Sequence, residues 1–191
     1  VSLDADGMSA STVSPLKRIW AQEYRSWCED CLDKDRWVYV WADAVYSGLR
    51  AEQTKLCTLV VIGVNERGEK HFLAIEDGVR ESTQSWRVVL LKLKSRRMST
   101  PELAIGDGAM GFWVALEEIY PQSRQQRCWM YKSMNVLNCL PKSAQAKAKQ
   151  ALHNIWQAET QADAEKAFDL FIRTYELKYP KAAACLHKDR E

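Results

Sequence analysis

The 191 residues are 47% hydrophobic and 27% charged, enough apolar surface for one sizeable core plus a helical appendage and too much for a disordered chain. With 27 Lys and Arg against 25 Asp and Glu the net charge is +2, so the charge of the whole molecule names no nucleic-acid partner and any basic surface must be local. The longest apolar stretch, Leu56 to Val64, is about half the roughly 20 residues a membrane-spanning helix requires, and the start lacks the basic and apolar regions of a secretory leader; the expectation is a soluble, cytoplasmic protein with no membrane partner.

The polar stretch Ser9 to Ser14 leads into Pro15, after which Leu16, Ile19, Trp20, Tyr24 and Trp27 share one helical face. Proline suits a first helical turn, so a leader helix is expected from Pro15 to about Asp33-Lys34-Asp35. From Trp37 to Val45 the chain is β-branched and aromatic at both parities, as in a strand buried on both faces, with Asp43 its only charge. Gln53 to Val64 reads as a second strand, Asn65-Glu66-Arg67-Gly68 as a turn and Glu69 to Glu76 as a third strand, together an antiparallel meander.

Ser82 or Thr83 can cap a helix whose apolar stripe is Trp86, Val89, Leu90 and Leu93. Its last turns carry Lys92, Lys94, Arg96 and Arg97, read as a solvated helix end that complements the dipole. Glu102 to Ile105 is a short fourth strand running into Gly106-Asp107-Gly108 and a helix with Phe112, Leu116 and Ile119 on one side. Pro121 ends that helix, Arg124 to Trp129 is a fifth strand, and Met130 to Leu140 a helix closed by Pro141. The order βββαβαβα places a parallel crossover after the meander and lays the fourth strand beside and parallel to the first. Beyond Pro141 the texture becomes Ala, Lys, Gln and Glu with sparse large residues, which reads as packed helices, the last starting at Pro180 and running to the end of the chain without a stop signal.

Six cysteines without a secretory signal point to reduced thiols, most of them in core positions. Cys28 and Cys31 make at best half of a zinc ribbon, with no second pair at finger spacing to complete it.

Asp43 and Asp107 are the first candidate constellation: the topology sets them on adjacent strands, where two carboxylates could share a divalent cation of the Mg²⁺ or Mn²⁺ type. The bland alternative has Asp43 at a solvated strand end and Asp107 capping a helix. Gly106 to Gly111 also matches the G-x-G-x-x-G of dinucleotide binding, but it follows a fourth strand, and Arg127 stands where a ribose-binding acid belongs. Arg124 to Lys132 interleaves basic and aromatic residues; such a run can grip a nucleic-acid backbone, and equally can flank a buried strand.

Four ordered motifs are specific together: Trp37-Val-Tyr-Val-Trp-Ala-Asp43-Ala-Val-Tyr46, Asp77-Gly-Val-Arg-Glu-Ser-x-x-Ser-Trp86, Ile105-Gly-Asp107-Gly-Ala-Met-Gly111 and Gln126-Arg-Cys128-Trp-Met-Tyr-Lys132-x-x-Asn135. With them the chain resembles the Mutator-type bacterial insertion-sequence transposases of the DDE superfamily, over almost its whole length. The resemblance implies an α/β fold, a ribonuclease-H-like mixed sheet of three antiparallel strands plus parallel strands, with a C-terminal all-helical insertion. It divides the chain into a linker and leader helix (1–35), an incomplete catalytic core (36–142) and the insertion segment (143–191).

By the same resemblance Asp43 and Asp107 are the first two catalytic carboxylates and metal ligands, the cofactor is Mg²⁺ or Mn²⁺ in a two-ion site, and the glutamate of the set would follow residue 191. The implied partners are DNA, at insertion-sequence ends and target, with Arg127 and Lys132 as the DNA-binding candidates, and other transposase subunits or a second copy of the chain. The implied activity is DNA cleavage and strand transfer, with this chain inactive alone for want of the glutamate and of an N-terminal DNA-binding region. Two departures stand out: Tyr131 occupies the histidine position of the family's Cys-x-x-His, and Pro15 stands where a basic residue is common. The competing readings are a nucleotide-binding α/β protein using Gly106 to Gly111 and a non-catalytic interaction module.

Overall fold

Five strands form one sheet in the order β3-β2-β1-β4-β5 in the computed structural model, which describes residues 9–51, 54–78, 81–108, 110–188 and 190. The meander is β1 (Trp37–Ala51), β2 (Thr54–Asn65) and β3 (Lys70–Gly78), antiparallel throughout; β4 (Leu103–Gly106) and β5 (Arg124–Arg127) then add in parallel on the β1 side. This order and these directions are the ribonuclease-H-like arrangement that the sequence led us to expect. The expected start of β2 at Gln53 lies outside the described residues, as do Val79, Arg80 and Ala109 of the quoted motifs.

The crossover helices α2 (Thr83–Ser95) and α3 (Met110–Ile119) pack together on one face of the sheet. Their Trp86, Val89, Leu93, Phe112 and Leu116 meet Val40, Ala42, Leu59, Val61, Leu73 and Ala104 in the principal core. Ser82 is the α2 cap, its hydroxyl accepting from the Ser85 N–H at 3.2 Å.

The opposite face corrects the expectation of a strand buried on both sides. Along β1, Val40 and Ala42 are buried, whereas Tyr39 and Val45 are 42% and 51% exposed, and Phe72 of β3 is 55% exposed. Both crossovers cover the same side, so the apolar residues of the other parity face outward among the described residues. Asp43 has that outward parity and is half-buried, so a buried-charge penalty is a weaker argument for a metal than the sequence pattern suggested.

The leader helix is also displaced from expectation. It is α1 (Ala10–Glu29), capped by Ser9, whose hydroxyl accepts from Thr12 N–H at 3.3 Å, so Pro15 lies in its second turn. None of its residues is buried; Trp20 is 54% exposed. What ties it down is Arg96, which is buried rather than solvated: Nε donates to the Asp30 carbonyl (2.8 Å), Nη1 to Leu73 (2.5 Å) and Nη2 to Trp27 (3.0 Å), and the guanidinium lies over the Trp27 ring. The expected charged helix end is therefore in part a clasp.

α4 (Trp129–Asn138), α5 (Lys142–Trp156), α6 (Gln161–Tyr175) and α7 (Pro180–His187) build a second core from Val136, Leu140, Leu152, Phe171 and Leu186, so α4 packs with the helical segment that follows it. α7 closes at His187 instead of running on. Among the six cysteines, all free thiols, only Cys57 is buried; Cys31 and Cys139 are exposed, which corrects the expectation that most lie in the core. No helix among the described residues is long and apolar enough to cross a membrane.

Candidate active site

The parallel register of β1 and β4 pairs Tyr39 with Leu103, Val40 with Ala104, Trp41 with Ile105 and Ala42 with Gly106, and ends there, so Asp43 and Asp107 are the residues that immediately follow the last pair. Neighbouring strands lie about 4.8 Å apart, so the two residues leave the sheet at adjacent positions. β4 stops at Gly106 and the chain turns through Gly108, whose φ of +91° is a left-handed conformation that glycine accepts at no steric cost. A Cβ there would stand 2.1 Å from Cζ of Arg127, so the Arg127 guanidinium lies directly against the turn that carries Asp107.

Gly111 is demanded by packing, since its Cβ would fall 2.7 Å from the Thr83 nitrogen at the start of α2. Gly106 likewise leaves room for Phe112 and Trp113, each 3.2 Å from a would-be Cβ. Each glycine of the G-x-G-x-x-G match therefore has a reason in the backbone or the core, independent of any nucleotide.

Around the aspartates stand two residues that the sequence reading left out of the site. Tyr131, in the first turn of α4, donates its hydroxyl to both oxygens of Asp43, at 3.1 and 3.0 Å, and Oδ1 also accepts from the Ala44 N–H at 3.0 Å. Burial, then the hydrogen bond to Asp43 and the charges of Asp43 and Asp107, push the Tyr131 phenol above its ordinary value and keep it a donor. Its occupation of the usual histidine position was the available signal.

Glu81 precedes the α2 cap and accepts from Trp86 Nε1 at 3.1 Å. Burial raises its pKa, the Trp86 bond opposes the rise, and the charges of Asp107 and Asp43 add to it. Its signal was its place five residues before Trp86 in the second motif. Both Tyr131 and Glu81 sense both aspartates, which places the four groups in one neighbourhood.

A carboxyl whose pKa is raised on folding contributes stability that is present below its unfolded value and is lost as pH rises through its folded one. In metal-free buffer, Glu81→Gln is therefore expected to flatten the fall in stability with pH just above the ordinary carboxylate range, while keeping an oxygen acceptor for Trp86. Urea midpoints measured across that range check this; parallel curves for the two proteins would refute it.

Asp43 and Asp107 supply hard oxygen donors of the kind Mg²⁺ or Mn²⁺ takes, and their adjacency fits a shared ion. Among the described residues no three of His, Cys, Asp and Glu come close enough together to form a metal cluster. Of the expected DNA contacts, Arg127 sits half-buried against Gly108, and Lys132 is buried, its ammonium donating to the Cys185 carbonyl of α7. Both line a cleft of about 880 Å³ between β5 and α7, along with Arg124, Lys188 and Arg190.

Residues 2–191 match the family described as "Transposase, Mutator family". The chain is 48% identical over 188 residues to the transposase for insertion sequence element IST2 of Acidithiobacillus ferrooxidans, covering 98% of this chain and 64% of that protein. It is 44% identical over 183 residues to the transposase for IS6120 of Mycolicibacterium smegmatis, covering 96% and 57%. The chain thus spans under two thirds of the length of these relatives. Among solved structures, the catalytic core domain of HTLV-2 integrase shows a TM-score of 0.36 at 11% identity, over 69% of this chain and 83% of that one. On the match across its whole described length and on the first relatives' identity, the chain belongs to the Mutator family of transposases.

Proposed function

We propose that this chain is the part of a transposase that carries the first two carboxylates of a metal-dependent DNA cleavage and strand-transfer site. The observation that supports the reading is the β1–β4 register, whose last pair, Ala42 with Gly106, stands immediately before Asp43 and Asp107 in a chain of this family. A divalent ion bound there would supply activation of water or a 3′-hydroxyl and charge stabilisation at the phosphodiester. The chain's own contribution is positional: Asp43 is held by Tyr131 and the Ala44 N–H, and the Asp107 turn is braced by Arg127 and by the clamp of Gly111 on α2. The cleft bordered by Arg124, Arg127, Lys188 and Arg190 continues from that turn, and its charge suits a DNA backbone.

Titration of the chain with Mn²⁺, followed by electron paramagnetic resonance, tests the metal reading. Asp43→Asn and Asp107→Asn should each weaken binding about tenfold or more, the equivalent of ~1.4 kcal/mol; affinities equal to that of the native chain would overturn it. With two aspartates as its ligands the isolated chain is expected to give no end cleavage, and robust turnover on an insertion sequence's terminal DNA would contradict that part.

A further inference from the structure

Asp43 is reached from the far side of the sequence by Tyr131, 88 residues away, and the geometry of that contact is asymmetric in its consequences. Each carboxylate oxygen offers two lone pairs. Oδ1 accepts from two donors, the Ala44 N–H at 3.0 Å and the phenol at 3.1 Å, while Oδ2, among the described residues, accepts from the phenol alone at 3.0 Å. The near-equal phenol distances put the hydroxyl between the two oxygens, on the side an ion must occupy to chelate both. The contact is pinned from behind, because the next residue, Lys132, is buried and bonded to the Cys185 carbonyl.

We propose that Tyr131 is a positioning residue for the metal site: its hydroxyl blocks chelation and leaves Oδ2 as the single oxygen that Asp43 presents to a divalent cation. This rests on the reading of Asp43 as a metal ligand. One-oxygen ligation leaves a further place in the ion's coordination shell for water, and Mg²⁺ and Mn²⁺ sites that act on phosphates keep several such places. Tyr131 thus trades cation affinity for open coordination positions, and does from α4 what no residue of the sheet does among the described hydrogen bonds of Asp43.

The test uses the full chain as native protein, Tyr131→Phe, Asp43→Asn and the double variant. Mn²⁺ affinity is read by electron paramagnetic resonance and the number of bound waters by water-proton relaxation; circular dichroism confirms that the fold is kept, since phenylalanine retains the ring. Tyr131→Phe should bind Mn²⁺ about three- to tenfold more tightly and with about one fewer bound water, and should add nothing in the Asp43→Asn background. If Asp43→Asn binds like the native chain, the metal reading falls and this proposal with it. If Asp43→Asn is weakened while Tyr131→Phe shows equal or weaker affinity, or an unchanged water count, only the role given to Tyr131 is overturned.

Discussion

Replacing Trp86 by alanine should destabilise the chain by about 3–5 kcal/mol, the usual range for deleting a buried aromatic ring. For a protein of this size that corresponds to a fall of about 6–20 °C in Tm. Trp86 is 1% exposed, meets Phe112 edge-on at 5.1 Å between ring centroids, and so couples the two crossover helices that cover the sheet. Its indole N–H is also the donor that steadies Glu81 beside Asp43 and Asp107. Trp86→Phe keeps one aromatic ring in the core while removing the donor and part of the packing, so it should cost clearly less than alanine. Urea denaturation of both variants measures the two losses, and a loss under about 1 kcal/mol for the alanine variant would contradict this account of the core.

Arg96→Met should be nearly as damaging, about 2–4 kcal/mol, because the methionine fills the space but leaves the Leu73, Trp27 and Asp30 carbonyls without their donor. The loss should be directional. With no buried residue of its own, α1 depends on this clasp and on the Tyr24 hydroxyl, which donates to the Ile75 carbonyl at 2.5 Å, so α1 should become protease-sensitive before the sheet unfolds. Arg96→Lys should not rescue it, since an ammonium cannot reproduce the fixed fork of three diverging bonds. Limited proteolysis beside thermal unfolding checks both points; simultaneous loss of α1 and the sheet would argue against the clasp.

These two residues show where local pattern carries and where it stops. Trp86 was legible: its recurrence with Val89, Leu90 and Leu93 marks the buried stripe of a helix whatever that helix packs on. Arg96 was not, because four basic residues near a helix end look alike until the chain brings Asp30 and Leu73 to one of them. Ser9 capping moved the start of α1 ahead of Pro15, a competition that the spacing of apolar residues does not register.

Around the candidate site, the sequence by itself determined the placing of β4 beside and parallel to β1 and the family, since both follow from ordered motifs and from connections that allow few topologies. Only the tertiary structure decided that Tyr39 and Val45 of β1 face outward among the described residues, that Lys132 turns inward to Cys185, and that Tyr131 and Glu81 stand with the aspartates. The physical reason is range. Periodicity reports which side of its own element a residue occupies, whereas a phenol meeting a carboxylate 88 residues away depends on the register, the crossover and the helix that follows, all settled together when the core packs.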